Sequence, residues 1–216
     1  RARHGELFGQ PLAAQGSARN LLASAAALQF ALESTTDYVA HLFDHSGSLP
    51  VLEAALLKVF SSQAAEQVIA HALALSQSGG NFLGCKLERA TRDVRFLQRD
   101  WGANDQLQAA VGAAGVRELS GATAGTRPAP WRLALPKSRA MPAIPVATPR
   151  LQPAVSVLSR QIQQFGAAAQ SALSGSGDRQ LTHTRLGGVA AELFAASCVY
   201  SRLFHLVAHQ IGRAHV

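Results

Sequence analysis

The sequence has little cysteine, few aromatics, and no run in which apolar and polar residues alternate. Two cysteines in 216 residues, Cys85 and Cys198, exclude a disulfide framework. Both are expected to act as small buried hydrophobes, which suits a reducing compartment such as the cytosol or the mitochondrial matrix. Val, Ile and Thr never cluster in alternation, so no strand is expected. The most apolar long stretch, Leu186 to Ile211, carries Glu192, Arg202, His205 and His209. These side chains are expensive in lipid, so it is not read as a transmembrane helix. Arg1 to Gln10 has no apolar core, and no secretory signal is expected there. The signatures of RNA- and DNA-binding modules are missing too, so no nucleic-acid partner is expected.

What the chain does have is helix-forming material. It is 48% hydrophobic and rich in Ala, Leu and Gln. The fold class expected is all-α, with enough length to bury a substantial core. The formal charge is +7. The excess concentrates between Arg117 and Arg150, where five Arg and one Lys face the single acid Glu118. A basic balance permits an acidic protein surface or an anionic membrane as partner and does not choose between them.

Apolar spacing divides the chain into helices. The first is expected from Pro11, in its first turn, to about Phe43, with Leu21, Leu22, Ala25, Leu28, Ala31 and Leu32 inward. Ser48 is the expected N-cap of a second helix from about Pro50 to Ser76, stopped by Gly79-Gly80. Its expected core positions include Val51, Leu52, Leu56, Val59, Phe60, Val68 and Ile69. A short loop makes the two helices antiparallel neighbours. A short helix over Leu87–Leu97 follows, then one capped by Asn104 or Asp105 and running to about Val116. Residues 117–150 read as a basic, Pro-rich linker or partner-dependent arm. Helices over Pro153–Ala172 and about Arg179–Ile211 close the chain, separated by SGSGD at 174–178. The last is expected to bury Leu186, Val189, Leu193, Ala196, Tyr200, Leu203 and Val207.

Few isolated residues carry a chemical signal. His41/His45 and His205/His209 have the i, i+4 spacing of a shared metal, but neither pair has an obvious third ligand, so no metal site is expected. Cys198 lies in the apolar run Phe194 to Val199 and is read as core rather than nucleophile. Arg92, Arg95 and Arg99 read as a salt-bridged, solvated face, with Asp93 and Asp100 nearby. Trp101 reads either as a plug or partner anchor, or as a half-buried turn residue.

Several motifs together resemble the C-terminal half of the acyl-CoA dehydrogenases. Leu7-Phe8-Gly9 with Pro11-Leu12 is similar to "R-x-x-F-G-x-P-L", and Glu53 to Ala65 to "EAAxxKxFxSEAA". Gln77-Ser78-Gly79-Gly80 stands where the family has "Q-I-x-G-G". Glu88-Arg89 with Arg92-Asp93-Val94-Arg95 matches "ER-x-x-RD-x-R". Gly102-Ala103-Asn104-Asp105 matches most of "E-G-T-N-D". Residues 151–207 are similar to the extra helical region of the long-chain, membrane-associated branch, whose relatives include a respiratory complex I assembly factor. Arg185-Leu186, Ala190 to Ala195 and Tyr200-Ser201-Arg202 carry that part.

The resemblance implies an antiparallel helical bundle over residues 1–116, the linker 117–150, and a helical extension over 151–216. It implies flavin-contacting positions at Phe8, Gln77, Gly79, Gly80, Gly102 and Asn104. The family's base is a Glu that takes an α-proton from an acyl thioester while hydride leaves for FAD. That position is Trp101 here, and Asp100 is the nearest carboxylate. Gly5, Ala103 and Gln108 stand at further positions where the family has Arg, Thr and Arg. The family's other domains would lie before Arg1. The expectation is a catalytically inactive relative without FAD, serving as a structural or assembly subunit of a mitochondrial inner-membrane complex. Respiratory complex I is the first candidate. Protein subunits are the expected partners, with peripheral contact to anionic membrane through 117–150, and homo-oligomerisation through the bundle. The alternative is an active FAD-dependent acyl-CoA dehydrogenase, completed by further sequence or another chain, with Asp100 as base. A third reading, a membrane-surface module, rests on the arginine-rich linker alone.

Overall fold

The computed structural model describes residues 5–7, 9–119, 144–146, 148–174 and 178–213. These form an all-α fold: α1 Gly16–Ser46, α2 Val51–Ser76, α3 Lys86–Leu97, α4 Asn104–Leu119, α5 Gln152–Ser174 and α6 Arg179–Arg213. One exception to the expected absence of strands is small. Glu6–Leu7 and Gln10–Pro11 pair antiparallel around Gly9, whose φ of 73° closes the turn. Pro11 therefore ends this hairpin instead of opening a helix. A 3-10 turn over Leu12–Ala14 follows, and extended Gln15 delays α1 to Gly16. Most of the basic linker, and residues 175–177 of the SGSGD break, lie outside the described residues.

Helix ends are set by local hydrogen bonds. Gly47, at φ 64°, ends α1 with its N–H on the Phe43 carbonyl. Ser48 is not the cap of α2: its side chain turns back to Ser46, and the Pro50 carbonyl takes the first helical bond from Ala54. Asp178 caps α6, its Oδ1 accepting the Leu181 N–H at 3.2 Å. After α2 the chain tightens into a 3-10 turn over Gln77–Gly80. Gly80 is packed there because a Cβ would come within 2.9 Å of Leu73 Cδ2 and 3.1 Å of Ser76 Cβ.

The core lies between α2, α4 and α6, where Leu56, Val59, Phe60, Val111, Ala191 and Ala195 are buried, with Leu28, Ala31 and Leu32 of α1 packed against them. A second cluster joins α5 to α6 through Val155, Leu158 and Tyr200. The Tyr200 hydroxyl donates to the Pro145 carbonyl, tying the chain before α5 to α6. The expected apolar stripes are partly corrected. On α1 the buried residues are Ala18, Ser34, Thr35 and Val39, while Leu22 is exposed. Ser34 and Thr35 stay inside because their hydroxyls donate to carbonyls one turn back, leaving no unmet polar group. Val51 and Val189 are exposed. On α6 the deepest positions are small: Gly187, Ala191 and Ala195.

These small residues have a reason. α4 and α6 run antiparallel in the most extensive helix–helix contact of the fold. A Cβ added at Gly112 would collide with the His183 carbonyl, and one at Gly187 with the Gln108 carbonyl. The two backbones therefore touch reciprocally, four residues apart on each helix. Arg202 adds a tie from α6 to α1. Its Nη1 lies 3.3 Å from Asp37 and 3.6 Å from Glu33, and its guanidinium sits 4.9 Å from the Phe30 ring centre. Neither carboxylate contact meets hydrogen-bond geometry at that nitrogen, so the tie is ionic and stacking.

Gly112→Ala is expected to lower the unfolding free energy by about 3 kcal/mol, since overpacking outweighs the roughly 1 kcal/mol gained in helix propensity. Gly166→Ala on α5, where an added Cβ meets nothing within 4 Å, is expected to stabilise by up to about 1 kcal/mol. Urea denaturation of both variants checks this; shifts of the same sign would reject the tight crossing.

Candidate functional site

α3 runs back along α2 and delivers the sequence Asp100-Trp101-Gly102-Ala103 to the N-terminus of α4. The helix forms from ordinary i, i+4 charge pairing: Arg92 Nε donates to Glu88 at 2.7 Å, and Arg89 lies 3.6 Å from Asp93. Arg95 reaches across to Glu66 of α2 at 4.0 Å. The arginine face is thus solvated and salt-bridged as expected, Arg92 to Glu88 and Arg95 to Glu66. Gln98 Nε2 also donates to Glu66, at 2.6 Å, pinning the end of α3 onto α2.

The turn after α3 is held by one lysine. Lys58 Nζ donates to the carbonyls of Gln98 at 3.2 Å and Gly102 at 2.6 Å, and to Asn104 Oδ1 at 2.8 Å. Asn104 Nδ2 in turn donates to Ser62 Oγ at 2.9 Å. Asn104 opens α4, but its side chain serves α2 instead of capping its own helix. Asp105 Oδ1 accepts from the adjacent Gln106 N–H at 3.0 Å. Burial pushes the Lys58 amine below its ordinary range, and Asp100 nearby opposes that shift. Asp100 is half-buried and faces this ammonium electrostatically.

Trp101 is neither plug nor half-buried turn residue within this chain. It is 87% exposed and has a φ of 57°, followed by Gly102 at 98°. It is the one non-glycine residue at positive φ among the described residues. An L-residue there costs roughly 1–2 kcal/mol. Phe96 and Leu97, at the end of α3, are also exposed.

Among the described residues, the implied flavin positions fall in two separate places. Asp100, Trp101, Gly102 and Asn104 share the Lys58 turn. Gly79 and Gly80 lie beyond the opposite end of α3, about 18 Å away at 1.5 Å per residue. Gly80 is packed against Leu73, Ser76 and Leu87, which makes it a helix stop and not an open cradle. Phe8 lies outside the described residues, as does the side chain of Gln77. Gln108, at a position where the resemblance puts an arginine, presents its carbonyl to Gly187 and its side-chain nitrogen at 3.4 Å from a Cβ on Gly188. These residues do not fit a flavin cradle made by this chain alone.

The remaining signals are quieter. His41 and His45 stack with ring centres 3.9 Å apart, and His45 Nδ1 lies 2.9 Å from the His41 carbonyl. No group of three metal-ligating side chains occurs among the described residues, and His209's side chain lies outside them. No helix among them is long and apolar enough to cross a membrane. Cys198 is buried as expected, whereas Cys85 is only half-buried, at the N-cap of α3. Sequence reasoning missed the role of Lys58. Its signal was a single cation in the otherwise apolar and small-residue run Ala54 to Phe60.

A family model described as acyl-CoA dehydrogenase, C-terminal domain, matches residues 1–116. No curated protein matches the chain.

Lys58→Met is expected to cost about 2 kcal/mol, because the Gly102 carbonyl and Asn104 Oδ1 lose their charged donor. Trp101→Gly is expected to stabilise by up to about 1 kcal/mol, since it relieves the left-handed backbone and exposes little new surface. Denaturant midpoints measure both, and a destabilising Trp101→Gly would place the indole in the fold's own packing.

Proposed function

The chain belongs to the acyl-CoA dehydrogenase family, and from that premise we propose that it is a catalytically inactive member serving as a structural or assembly subunit. The observation that carries this is Trp101. The family's chemistry needs a carboxylate at that place to remove the α-proton of an acyl thioester. An indole has no basic lone pair to take it. Asp100, the neighbouring carboxylate, faces Lys58 in a turn whose backbone is already fixed. Exposed Trp101 beside Phe96 and Leu97 is suited to a protein partner, because aromatic anchors dominate binding energy at interfaces. A strained, solvent-exposed aromatic is also a reasonable pointer to function outside the fold itself.

The setting proposed is a mitochondrial inner-membrane complex, with respiratory complex I the first candidate. The similarity of residues 151–207 to the membrane-associated branch supports this, and the basic segment 117–150 suits an anionic surface. Residues 1–116 are taken as the bundle and 151–216 as the extension. The competing reading, an FAD-dependent dehydrogenase using Asp100, predicts a different spectrum. The protein as purified from its native source is expected to show no stoichiometric flavin absorbance. It is also expected to migrate on native gels in a high-mass inner-membrane assembly, and Trp101→Ala to shift it toward the free form. Stoichiometric flavin bleached by acyl-CoA would overturn the inactive reading. Migration only as a free matrix protein would overturn the assembly.

A further inference from the structure

Between the bundle and the last two helices lies a cavity of about 390 Å³. Its walls are apolar, with Leu52 and Leu56 of α2, Ile162 and Phe165 of α5, and Leu193 and Phe194 of α6. That size and character fall within the range of small-molecule sites. Val111, Gly112, Gly115 and Val116 line it from α4, and the two glycines leave space where a side chain would stand. A Cβ on Gly115 would meet nothing within 4 Å.

Tyr38, Glu53, Ser197 and Ser201 interrupt these walls, and Glu53 is the one carboxylate among the described lining residues. Glu53 is 6% exposed and lines the cavity. Among the described residues it makes no hydrogen bond or ion pair, and none of the Lys, Arg or His among them lines the cavity with it. Tyr38 and Cys198 stand nearby, and Tyr38 packs edge-on to Phe194 at 5.8 Å. Burial pushes the Cys198 thiol up to about 12, and burial with the neighbouring Cys198 and Glu53 raises the Tyr38 hydroxyl. Burial is the leading cause at both groups, so the Tyr38 and Cys198 side of the cavity is shielded from water. A buried carboxyl group with no cationic or donor partner is costly unless something else supplies one.

We propose that this cavity binds a small organic amine, its ammonium on Glu53 and its hydrocarbon body among Leu52, Ile162, Phe165 and Leu193. The apolar walls select for hydrocarbon. The buried carboxylate selects the head: an ammonium adds ion-pair attraction to the hydrogen bond that a neutral hydroxyl also makes, and a carboxylate ligand would be repelled. This site is separate from the Lys58 turn, and the inference does not depend on the chain being inactive.

The test compares octylamine, 1-octanol and octanoate at neutral pH, by calorimetry and thermal shift on the full chain. Octylamine is expected to bind saturably and about tenfold tighter than octanol, with octanoate weakest. Glu53→Gln is expected to erase the preference for the amine over the alcohol. Gly115→Leu is expected to abolish binding of both while raising the melting temperature, because it fills open space and improves helix propensity. Should Glu53→Gln fail to fold, the ligand ranking and Gly115→Leu still decide. Equal binding of the three ligands, preference for octanoate, undiminished binding by Gly115→Leu, or no saturable binding by the wild type would each overturn the proposal.

Discussion

The contact on which the rest of this structure depends is made by the absence of side chains. Gly112 and Gly187 let α4 and α6 approach until each backbone meets a carbonyl of the other. Such proximity gains close-range dispersion and Cα–H···O contacts that a bulkier pair would forfeit. It also fixes where α6 lies, and α6 belongs to both hydrophobic clusters. Its Ala191 and Ala195 complete the cluster on α2 and α4, and its Tyr200 completes the one on α5. Were α6 held further out, the small alanines would leave voids against Val59 and Phe60, and α5 would lose its platform.

The same crossing divides α4 into two functional halves. Its N-terminus, with Asn104, is gripped by α2 through Lys58 and Ser62. Its C-terminal half, with Gly112 and Gly115, forms one wall of the cavity. α4 cannot rotate to serve one end without disturbing the other. The two regions are therefore mechanically linked through a rigid helix, although their residues have unrelated chemistry.

Helix number, order and approximate limits were legible because apolar spacing, Gly stops and Pro starts are local signals. Leu56, Val59 and Phe60 on α2, and Val155 and Leu158 on α5, were read as core and are buried. The face of α6 was only half legible. A count of large residues selects Leu193 and Tyr200 but also the exposed Val189, and it overlooks Gly187 and Ala191 because small residues have no hydrophobic signature of their own. Only their partner helix gives them meaning, and the pairing of α4 with α6 spans some 75 residues of sequence. Glu53 was legible as a motif residue but not as a buried one, since a charged residue in a helix's first turn normally faces water. Trp101 was legible as a turn residue but not as an exposed one, because a turn residue's direction depends on a backbone angle that composition does not fix.

That angle sets what the rest of the turn must offset. A tryptophan at positive φ opposes the turn by roughly 1–2 kcal/mol. On the other side stand three hydrogen bonds from one ammonium, each with a charged donor and so worth roughly 1.5–3 kcal/mol before Lys58 desolvation is subtracted. The depressed Lys58 amine reports that subtraction, and Asp100 partly offsets it. All three acceptors belong to Gln98, Gly102 and Asn104, and none to residue 101. The backbone is thus fixed from the α2 side, whatever side chain residue 101 carries. An indole at residue 101 can therefore point into solvent and leave the path from α3 into α4 unchanged.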